Sequence, residues 1–551
     1  MAERTSLRYR RVLTMATIAA GLLSITACST PTGSNEIEVD LTDRAPSAAE
    51  SVSEITWNLS DGEPATLDPR DSATYSSATV VANLCDPLLA IDEDYTLHAN
   101  LVSFEAPDPL TLVYTIEAKA TFWDGRPVTA DDIVYSLDRA ADPAAITAFL
   151  FANVADVEKT DDATVTVRFA QPDAMFNAQM ATFAGAVVER SFAETAGASF
   201  GTAAGGIMCS GPYTLDQWRP GSDITIERNP DYWNKELPLL VERAKFTFIT
   251  DSTAASQALS TGEIDGAYRI DPSAVPTLGA ASNGQLFFGP SMESLQLYVA
   301  RADGPLADVA LRDGLQKAID REALATTVYS GAAAPLYATV TPRTWPTAQH
   351  ELYQDAYDKW AAARTFDPEA AKKLVEGSGY GGETLVLGVP AGQATLSRVA
   401  QLVQQQAEAV GVQIEIKDLQ PLDYATASYD TVTRERFGLD LLLGESFNAT
   451  AEPLEPLGFT LTEGAPYNYT QIADPELATL LERARAAVDP EDRARLVIEA
   501  QEIGEATSAA IPLLSLHTTT FLNSRLGGAI TSFAYMSMPS VAYLGGTGGG
   551  E

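Results

Sequence analysis

Histidine and cysteine are both scarce in this chain, which limits the chemistry that it can perform. The 551 residues include only three histidines, His98, His350 and His517, and three cysteines. No two histidines are close in sequence, and neither an H-E-x-x-H motif nor a Cys/His cluster with metal-ligand spacing occurs. A phosphate-binding P-loop is absent as well. The sequence therefore predicts no metal site, no cofactor and no enzymatic activity.

Basic residues are also few. The chain has 36 Lys and Arg against 74 Asp and Glu, which gives a formal net charge of −38. Such a chain is poorly suited to a phosphate backbone, so we expect no nucleic-acid binding. We interpret the acidic excess as a source of solubility outside the cell, with steering of cationic ligands as the alternative. The length exceeds what one core accommodates and predicts two or three lobes.

The apolar run near the N-terminus, residues 12–23, is too short to span a bilayer comfortably. It follows four arginines and leads to Ile25-Thr26-Ala27-Cys28, which resembles the bacterial lipobox. Residues 1–27 are thus predicted to be a lipoprotein signal peptide, with Cys28 acylated as the mature N-terminus. An ordinary signal peptide with a chance cysteine is the alternative, and Arg10-Arg11 leaves a twin-arginine export route open.

Residues 28–53 are mostly polar or small and contain proline, so they are predicted to be a flexible tether. Two or more acyl chains on Cys28 would hold the protein stably on the outer face of the cytoplasmic membrane. The expected location is therefore extracytoplasmic, either lipid-anchored or periplasmic.

The most informative stretch is residues 121–139, TFWDGRPVTADDIVYSLDR. Asp124-Gly125 favours a tight turn, and Thr129 is predicted to cap a helix with Asp132 completing a variant capping box. The pattern F-x-D-G-x-P-x-T-A-x-D-x-x-Y-S closely resembles that of the extracytoplasmic solute-binding proteins of the dipeptide/oligopeptide (family 5) ABC importers. Further stretches resemble the same family, among them TLDP (66–69), CSGPY (209–213), RNPDYW (228–233) and PLADVALRDGLQKAIDREAL (305–324).

This resemblance covers residues 54–540 approximately, and it implies an α/β fold. The family has a two-lobed periplasmic-binding-protein fold (type II, cluster C) with an extra subdomain in the first lobe. The boundaries that it suggests are 54–290 for lobe I with its inserted subdomain, 291–510 for lobe II, and 511–551 for the return to lobe I and a Gly-rich tail. The resemblance further implies a monomer that closes on a small solute by hinge motion and hands it to a membrane permease.

The residues also indicate a site without reference to the family. A β-α-β unit is predicted from residues 384–387, 394–410 and 412–416, since a parallel pair needs such a crossover. Residues 437–444 are nearly all apolar, which is typical of a strand buried on both faces. Ligands of open α/β sheets bind beyond the carboxyl ends of strands, so Glu445, Ser446, Phe447 and Asn448 are candidate binding residues.

The resemblance also assigns ligand contacts, and this chain differs from the family pattern near one of them. It places Ala73, Thr74 and Tyr75 at one set of backbone contacts and Gly444 and Ser446 at another. Peptide binders of the family have a Trp after that glycine and an Asp three residues later, where this chain has Glu445 and Asn448. Because an amide supplies no countercharge for an ammonium, Glu445 or Glu452 would have to supply it. The possible pocket walls, for which plain packing is the alternative, are Phe149, Tyr467 and Tyr469.

Cys85 and Cys209 are the only cysteines beyond Cys28. Both lie near family positions that approach each other, and the expected compartment is oxidising, so we predict a disulfide. Two buried free thiols are the alternative.

Three functions follow as hypotheses. The first is a lipid-anchored receptor that delivers peptides to an ABC importer. The second keeps the fold but binds a non-peptide solute, namely an oligosaccharide, an opine-like amine or a metal chelate. The third is a structural surface lipoprotein, or the ligand-presenting partner of a sensor, without a transport role.

Overall fold

Three β-sheets organise the chain, in a computed structural model that describes residues 39–72, 74–465 and 467–548. The strands of the first, seven-stranded sheet are, in spatial order, Gly284–Gly289, Thr518–Asn523, Gly266–Ala267, Val52–Asn58, Val241–Thr247, Asp223–Arg228 and Tyr213–Arg219. Those of the second, six-stranded sheet are Ala333–Pro335, Ala510–Leu516, Glu293–Val299, Leu441–Phe447, Leu385–Pro390 and Ile414–Leu419. Those of the third, four-stranded sheet are Val102–Asp108, Thr111–Ile116, Thr164–Phe169 and Val154–Asp161.

Two short ribbons and the α-helices complete the described fold. The ribbons pair Leu89–Ile91 with Leu97–Ala99 and Leu526–Gly527 with Gly545–Gly546. The helices are Tyr75–Leu84, Ala130–Ala140, Phe176–Gln179, Arg190–Ala196, Ser252–Thr261, Val275–Gly279, Val309–Ala318, Arg321–Thr327, His350–Arg364, Pro368–Gly377, Ala394–Ala409, Pro421–Tyr429, Thr431–Phe437, Leu454–Leu461, Pro475–Ala486 and Pro490–Ala506. No helix of the described residues combines the length and apolarity needed to cross a membrane.

Each sheet has its own apolar core. Trp57 and Phe246 belong to the core of the first sheet, Leu297 and Leu441 to that of the second, and Tyr114 to that of the third. Separate cores are expected for a chain of this length. We call the first and second sheets, with the helices that cover them, the first and second lobes. The third sheet is an insertion in the first lobe.

The chain crosses between the two lobes twice. The first crossing is residues 290–292, which join the strand Gly284–Gly289 to Glu293–Val299. The second is His517, because Ala510–Leu516 pairs with strands of the second sheet whereas Thr518–Asn523 pairs with strands of the first. The return to the first lobe thus lies after residue 516 and not at residue 511. An apolar run indicates a buried strand, but its period does not show which sheet the strand joins.

The described part of the expected tether contacts the folded body. Thr42 donates a backbone hydrogen bond to Phe288, and Ala45 donates one to Ala529, both at 2.8 Å. Glu50 forms an antiparallel bridge with Gly546. Residues 42–50 are therefore held against the first lobe, although their composition suggested a free segment.

The stretch 121–139 folds as predicted. Gly125 has φ +82° at the tip of a turn closed by the Thr121–Pro127 bridge. Thr129 caps the helix Ala130–Ala140, and the Asp132 carboxylate accepts from the Thr129 backbone to complete the capping box. Trp123 Nε1 donates to the Gly211 carbonyl at 3.2 Å, so this stretch is tied to the CSGPY segment. The family motifs therefore act as structure in this lobe.

The β-α-β unit is confirmed, and the strand beside it differs from the prediction. Leu385–Pro390 and Ile414–Leu419 are parallel and joined by the helix Ala394–Ala409. The next strand is Leu441–Phe447, because Phe437 still ends a helix and Gly438 caps it in the left-handed conformation. Pairing with the strand Glu293–Val299 extends it through Phe447. Three of the four residues expected beyond the strand, Glu445, Ser446 and Phe447, are therefore its last three, and only Asn448 lies beyond it.

Cys85 and Cys209 form the predicted disulfide, with Cα atoms 4.9 Å apart. Both side chains are buried in the core of the first sheet.

Asp86, next to this disulfide, is a buried carboxylate without a basic partner among its hydrogen bonds. Tyr232 Oη and Trp233 Nε1 each donate to it at 2.9 Å. The aromatic pair of the RNPDYW stretch therefore belongs to the packing of the first lobe. Burial raises the pKa of Asp86 to about 6, and these donors oppose the shift.

The raised pKa predicts a pH dependence of stability. Between about pH 4 and pH 6 Asp86 keeps its proton in the folded protein and loses it in the unfolded chain. Its contribution to the free energy of unfolding therefore falls as the pH rises through 6. We expect this group to cost about 3 kcal/mol at pH 7 relative to pH 4. Chemical denaturation of Asp86→Asn at both pH values should show a correspondingly smaller loss toward pH 7 than the wild type. An identical pH dependence in both proteins would contradict this assignment, and the exposed Asp162→Asn is the control.

Candidate functional site

The end of the strand Leu441–Phe447 extends beyond one of its neighbours. On one side it pairs along its whole length with Glu293–Val299. On the other side, the pairing with Leu385–Pro390 includes only Leu441 and Leu442. Residues 443–447 therefore present one edge on which, among the described residues, no strand is paired.

Alternation of the backbone groups identifies the residues that face this open edge. Asn448 N donates to Met292 O at 3.4 Å, which turns the even-numbered residues toward the strand Glu293–Val299. Leu443 O accepts from Tyr424 Oη at 2.8 Å on the opposite side. The backbone groups of Glu445 and Phe447 thus face the open edge. Gly444 and Ser446, to which the family resemblance assigned such contacts, face the neighbouring strand.

The side chains of Glu445 and Phe447 contact the first lobe. Phe447 packs against Tyr75, with ring centroids 4.9 Å apart, and against Phe533 at 5.6 Å. Glu445 Oε2 accepts from Arg269 at 3.1 Å. Both lobes therefore meet at the end of this strand.

Thr74 and Tyr75 lie where the first lobe reaches this end. The Thr74 hydroxyl caps the helix Tyr75–Leu84 by accepting from Ser77 N. The Tyr75 ring stacks under the Arg269 guanidinium, 3.6 Å from the ring centroid. Ala73 lies outside the described residues, as does Cys28.

Arg269 is surrounded by acidic groups. Its guanidinium bonds to Glu293, to Glu445 at 3.1 Å and to Asp61 at 3.2 Å. Three carboxylates thus face one guanidinium, an excess of two negative charges when all are ionised. Burial raises the pKa of the Glu293 carboxyl, and the charge of Arg269 opposes that rise. An additional cation would be stabilised beside this group.

The other face of the strand end carries tyrosines. Tyr298 Oη bonds to Ser446 Oγ at 3.1 Å. A Cβ atom on Gly444 would lie 2.9 Å from Tyr424 Oη, so a larger residue would require the Tyr424 ring to shift. The expected pocket walls Tyr467 and Tyr469 both pack near Tyr298, at 6.4 and 5.8 Å between ring centroids.

Phe149 extends this aromatic surface toward solvent. It packs at 4.9 Å against Phe459 of the second lobe and remains 48% exposed. Phe459 in turn packs against Tyr467 at 6.2 Å. Tyr429, which is 65% exposed, bonds to Tyr467 through the two hydroxyls. A continuous aromatic cluster, buried at Tyr298 and Tyr469 and exposed at Phe149 and Tyr429, therefore leads from the strand end to the outside.

The two acidic candidates for a countercharge differ. Glu452 is paired with Arg493 at 3.3 Å, and both side chains are largely buried in the second lobe. Glu445 is more exposed and lies at the open edge, beside Arg269. Asn448 is 7% exposed and follows the strand directly. The geometry thus favours Glu445 over Glu452.

Sequence reasoning missed Arg269, Glu293 and Asp61. They come from three distant stretches, none of which forms a motif with another. The only local anomaly is the backbone of Arg269, whose φ of 54° is rare for residues other than glycine and is visible only in the structure.

The chain resembles known proteins over most of its length. The family model for bacterial extracellular solute-binding proteins, family 5 Middle, matches residues 88–467. The glutathione-binding protein GsiB of Salmonella typhimurium is 27% identical over 459 residues, which cover 82% of this chain and 86% of that protein.

Solved structures share the fold at lower identity. The periplasmic binding protein DppA of Helicobacter pylori, in complex with the peptide STSA, has a TM-score of 0.75 at 17% identity and is covered over 99% of its length, with 90% of this chain. AgaA of A. tumefacien R10, in complex with agropinic acid, has a TM-score of 0.73 at 20% identity, covering 98% of that chain and 89% of this one. At these identities the likeness concerns the fold alone.

Proposed function

Since this chain belongs to the bacterial extracellular solute-binding proteins of family 5, we propose that it captures peptides between its two lobes and delivers them to an ABC permease. The family assignment confirms the predicted fold class, a two-lobed α/β binding protein of type II. The chain is therefore a solute-binding protein of an ABC transporter and not an enzyme.

The observation that supports a peptide most directly is the open edge of the strand Leu441–Phe447. An extended peptide can add to such an edge as a further strand, so that main-chain hydrogen bonds supply affinity for many sequences. The backbone groups of Glu445 and Phe447 face this edge, where no strand of the described residues pairs with them, and the Tyr75 ring of the first lobe packs on Phe447. A peptide at this edge would lie between the lobes.

Glu445 is the proposed partner for the ammonium of the peptide. Its carboxylate belongs to the acidic group around Arg269, in which negative charge is in excess. A charge-assisted hydrogen bond to an ammonium is roughly twice as strong as a neutral one. In this assignment Glu445 supplies the negative charge for the ammonium, which the amide of Asn448 cannot supply.

A non-peptide solute is the second candidate. The aromatic cluster of Tyr298, Tyr467, Tyr469 and Phe459, of which Tyr298 and Tyr469 are buried, leads to the exposed ring of Phe149. The exposed ring and hydroxyl of Tyr429 lie beside this cluster and would suit a sugar or an opine-like amine. The AgaA complex shows that this fold accommodates agropinic acid.

We also propose lipid anchoring through Cys28 and an extracytoplasmic location. The composition of residues 1–27 and the lipobox-like sequence before Cys28 support the anchor. Family membership supports the location.

Glu445→Gln tests the peptide proposal. We expect trialanine to bind the wild type, and N-acetyl-trialanine to bind about tenfold or more weakly because it lacks the ammonium. Glu445→Gln should lose affinity for trialanine by a similar factor and thereby lose the discrimination between the two peptides. Isothermal titration calorimetry of the chain without residues 1–28 measures both.

Glu452→Gln is the matched control, because its carboxylate is paired with Arg493 inside the second lobe. It should retain the preference for the free ammonium. If neither peptide binds, or if Glu445→Gln still discriminates between them, the peptide proposal fails in this form. Binding of sugars or amines instead would favour the second candidate.

A further inference from the structure

Arg269 is held in an unusual backbone conformation at the boundary between the lobes. It follows the short strand Gly266–Ala267 of the first sheet and has a φ of 54°. The preceding Tyr268 is fixed by stacking on Tyr535 at 3.9 Å and by packing on Trp57 at 4.8 Å. Such a conformation is unfavourable for a residue other than glycine and persists only where the surroundings enforce it. The packing of Tyr268 supplies that constraint.

The guanidinium of Arg269 bridges the two lobes. Asp61 and the ring of Tyr75 belong to the first lobe, at 3.2 Å and 3.6 Å respectively. Glu445, at 3.1 Å, belongs to the second lobe. Glu293 is the first residue of its strand and lies directly after the crossing at 290–292.

These positions distinguish the two carboxylates during a hinge motion. Glu293 is adjacent to the crossing, so its distance to Arg269 changes little when the lobes swing apart. Glu445 pairs with Leu295 on the neighbouring strand and would move with the second lobe, so opening would break its bond to Arg269. Arg269 would then keep Asp61 and Glu293 as partners, which would avoid an unpaired buried charge. The bond between Arg269 and Glu445 can therefore form and break reversibly.

We propose that Arg269 is a positioning residue that holds the unliganded lobes together through Glu445 and thereby places this carboxylate at the open strand edge. The first part of this proposal, closure of the protein without solute, does not depend on peptide binding. The second part, placement of Glu445 for the cation of a solute, rests on the proposed function. Other polar contacts cross between the lobes, among them Thr395 with Asp271, Arg485 with Asp173 and Arg343 with Asp43, and none of these includes Glu445.

Small-angle X-ray scattering of the protein without solute tests whether the bond between Arg269 and Glu445 holds the lobes together. Loss of one charge-assisted bond is expected to shift the ratio of open to closed forms about tenfold or more toward the open form. Arg269→Gln and Glu445→Gln should each increase the radius of gyration. The double variant should expand no further than Arg269→Gln alone, because the bond between Arg269 and Glu445 is already lost in that single variant. Arg269→Lys should fall between the wild type and Arg269→Gln.

Arg493→Gln is the matched control, since it breaks a buried Arg–Glu pair that lies within the second lobe. It should leave the radius of gyration unchanged even if it lowers the melting temperature. The proposal is overturned if Arg269→Gln and Glu445→Gln keep the wild-type radius, or if Arg493→Gln expands the protein equally. Should Arg269→Gln fail to fold, Glu445→Gln carries the test, because its side chain is partly exposed.

The scattering experiment contains no solute, so it is independent of the peptide titration. If the variants expand but the protein binds no peptide, closure through Arg269 and Glu445 is supported and the peptide proposal is rejected. If the protein discriminates between the two peptides but the variants do not expand, the peptide proposal is supported and closure through Arg269 and Glu445 is rejected.

Discussion

Replacement of Arg321 by methionine is expected to destabilise the second lobe severely. Arg321 is 1% exposed and has no carboxylate partner among its hydrogen bonds. Its Nε donates to the carbonyls of Leu336 and Pro512 at 2.9 and 2.8 Å, and its Nη1 donates to that of Gln316 at 2.9 Å. These acceptors join a strand of the second sheet to the segments that cover it.

Methionine would fill part of the volume and leave those acceptors without a donor. Each buried unsatisfied group costs about 1–3 kcal/mol, so the loss should reach at least about 3 kcal/mol. That is a large fraction of the 5–15 kcal/mol by which folded domains are typically stable. Denaturant unfolding followed by circular dichroism measures the loss.

Two variants separate this effect from a general loss of charge. Arg321→Lys keeps a donor and should recover part of the stability. Arg398→Met removes an exposed arginine that donates to the Thr327 carbonyl at 2.9 Å, and it should change the stability by no more than about 0.5 kcal/mol. Equal effects of Arg321→Met and Arg398→Met would contradict the role assigned to Arg321.

Removal of the disulfide should have the second large effect. Cys85 and Cys209 are 124 positions apart, and the loop that they close carries the whole third sheet. Closing so long a loop restricts the unfolded chain, so we expect Cys85→Ala with Cys209→Ala to lower the free energy of unfolding by about 2–5 kcal/mol.

Reduction of the wild type provides the control for this double variant. Reductant should destabilise the wild type by a similar amount and leave the variant unaffected. Alkylation followed by mass measurement should label neither cysteine of the unfolded, unreduced protein. Two labelled cysteines under those conditions would show that the bridge is absent.

Local patterns predicted the structure where local chemistry determines it. The cap at Thr129 and the turn at Gly125 each depend on residues within a few positions of one another, and the sequence shows those residues directly. The β-α-β unit consists of consecutive elements, each with its own local pattern, and a parallel pair requires the helix that joins its strands. The strand end at Phe447 was predicted three residues too early. Its length depends on pairing with Glu293, which lies far away in the chain.

The charged centre of the site could not be predicted for the same reason. Asp61, Arg269, Glu293 and Glu445 meet only because the chain crosses between the lobes at residues 290–292. The resemblance to a family indicated that the end of the strand Leu441–Phe447 is part of the site, but it did not indicate this group of charged residues. It also assigned backbone contacts to Gly444 and Ser446, whereas the register turns Glu445 and Phe447 toward the open edge.

Capture of an unaltered small solute between the lobes is the central claim. Native mass spectrometry of the chain lacking residues 1–28, purified without added ligand, tests it most directly. We expect a one-to-one complex that releases an intact small molecule with a free ammonium on denaturation, and a Glu445→Gln variant that carries much less of this molecule. A protein that carries and binds no small solute, or one that converts the solute during incubation, would contradict the account.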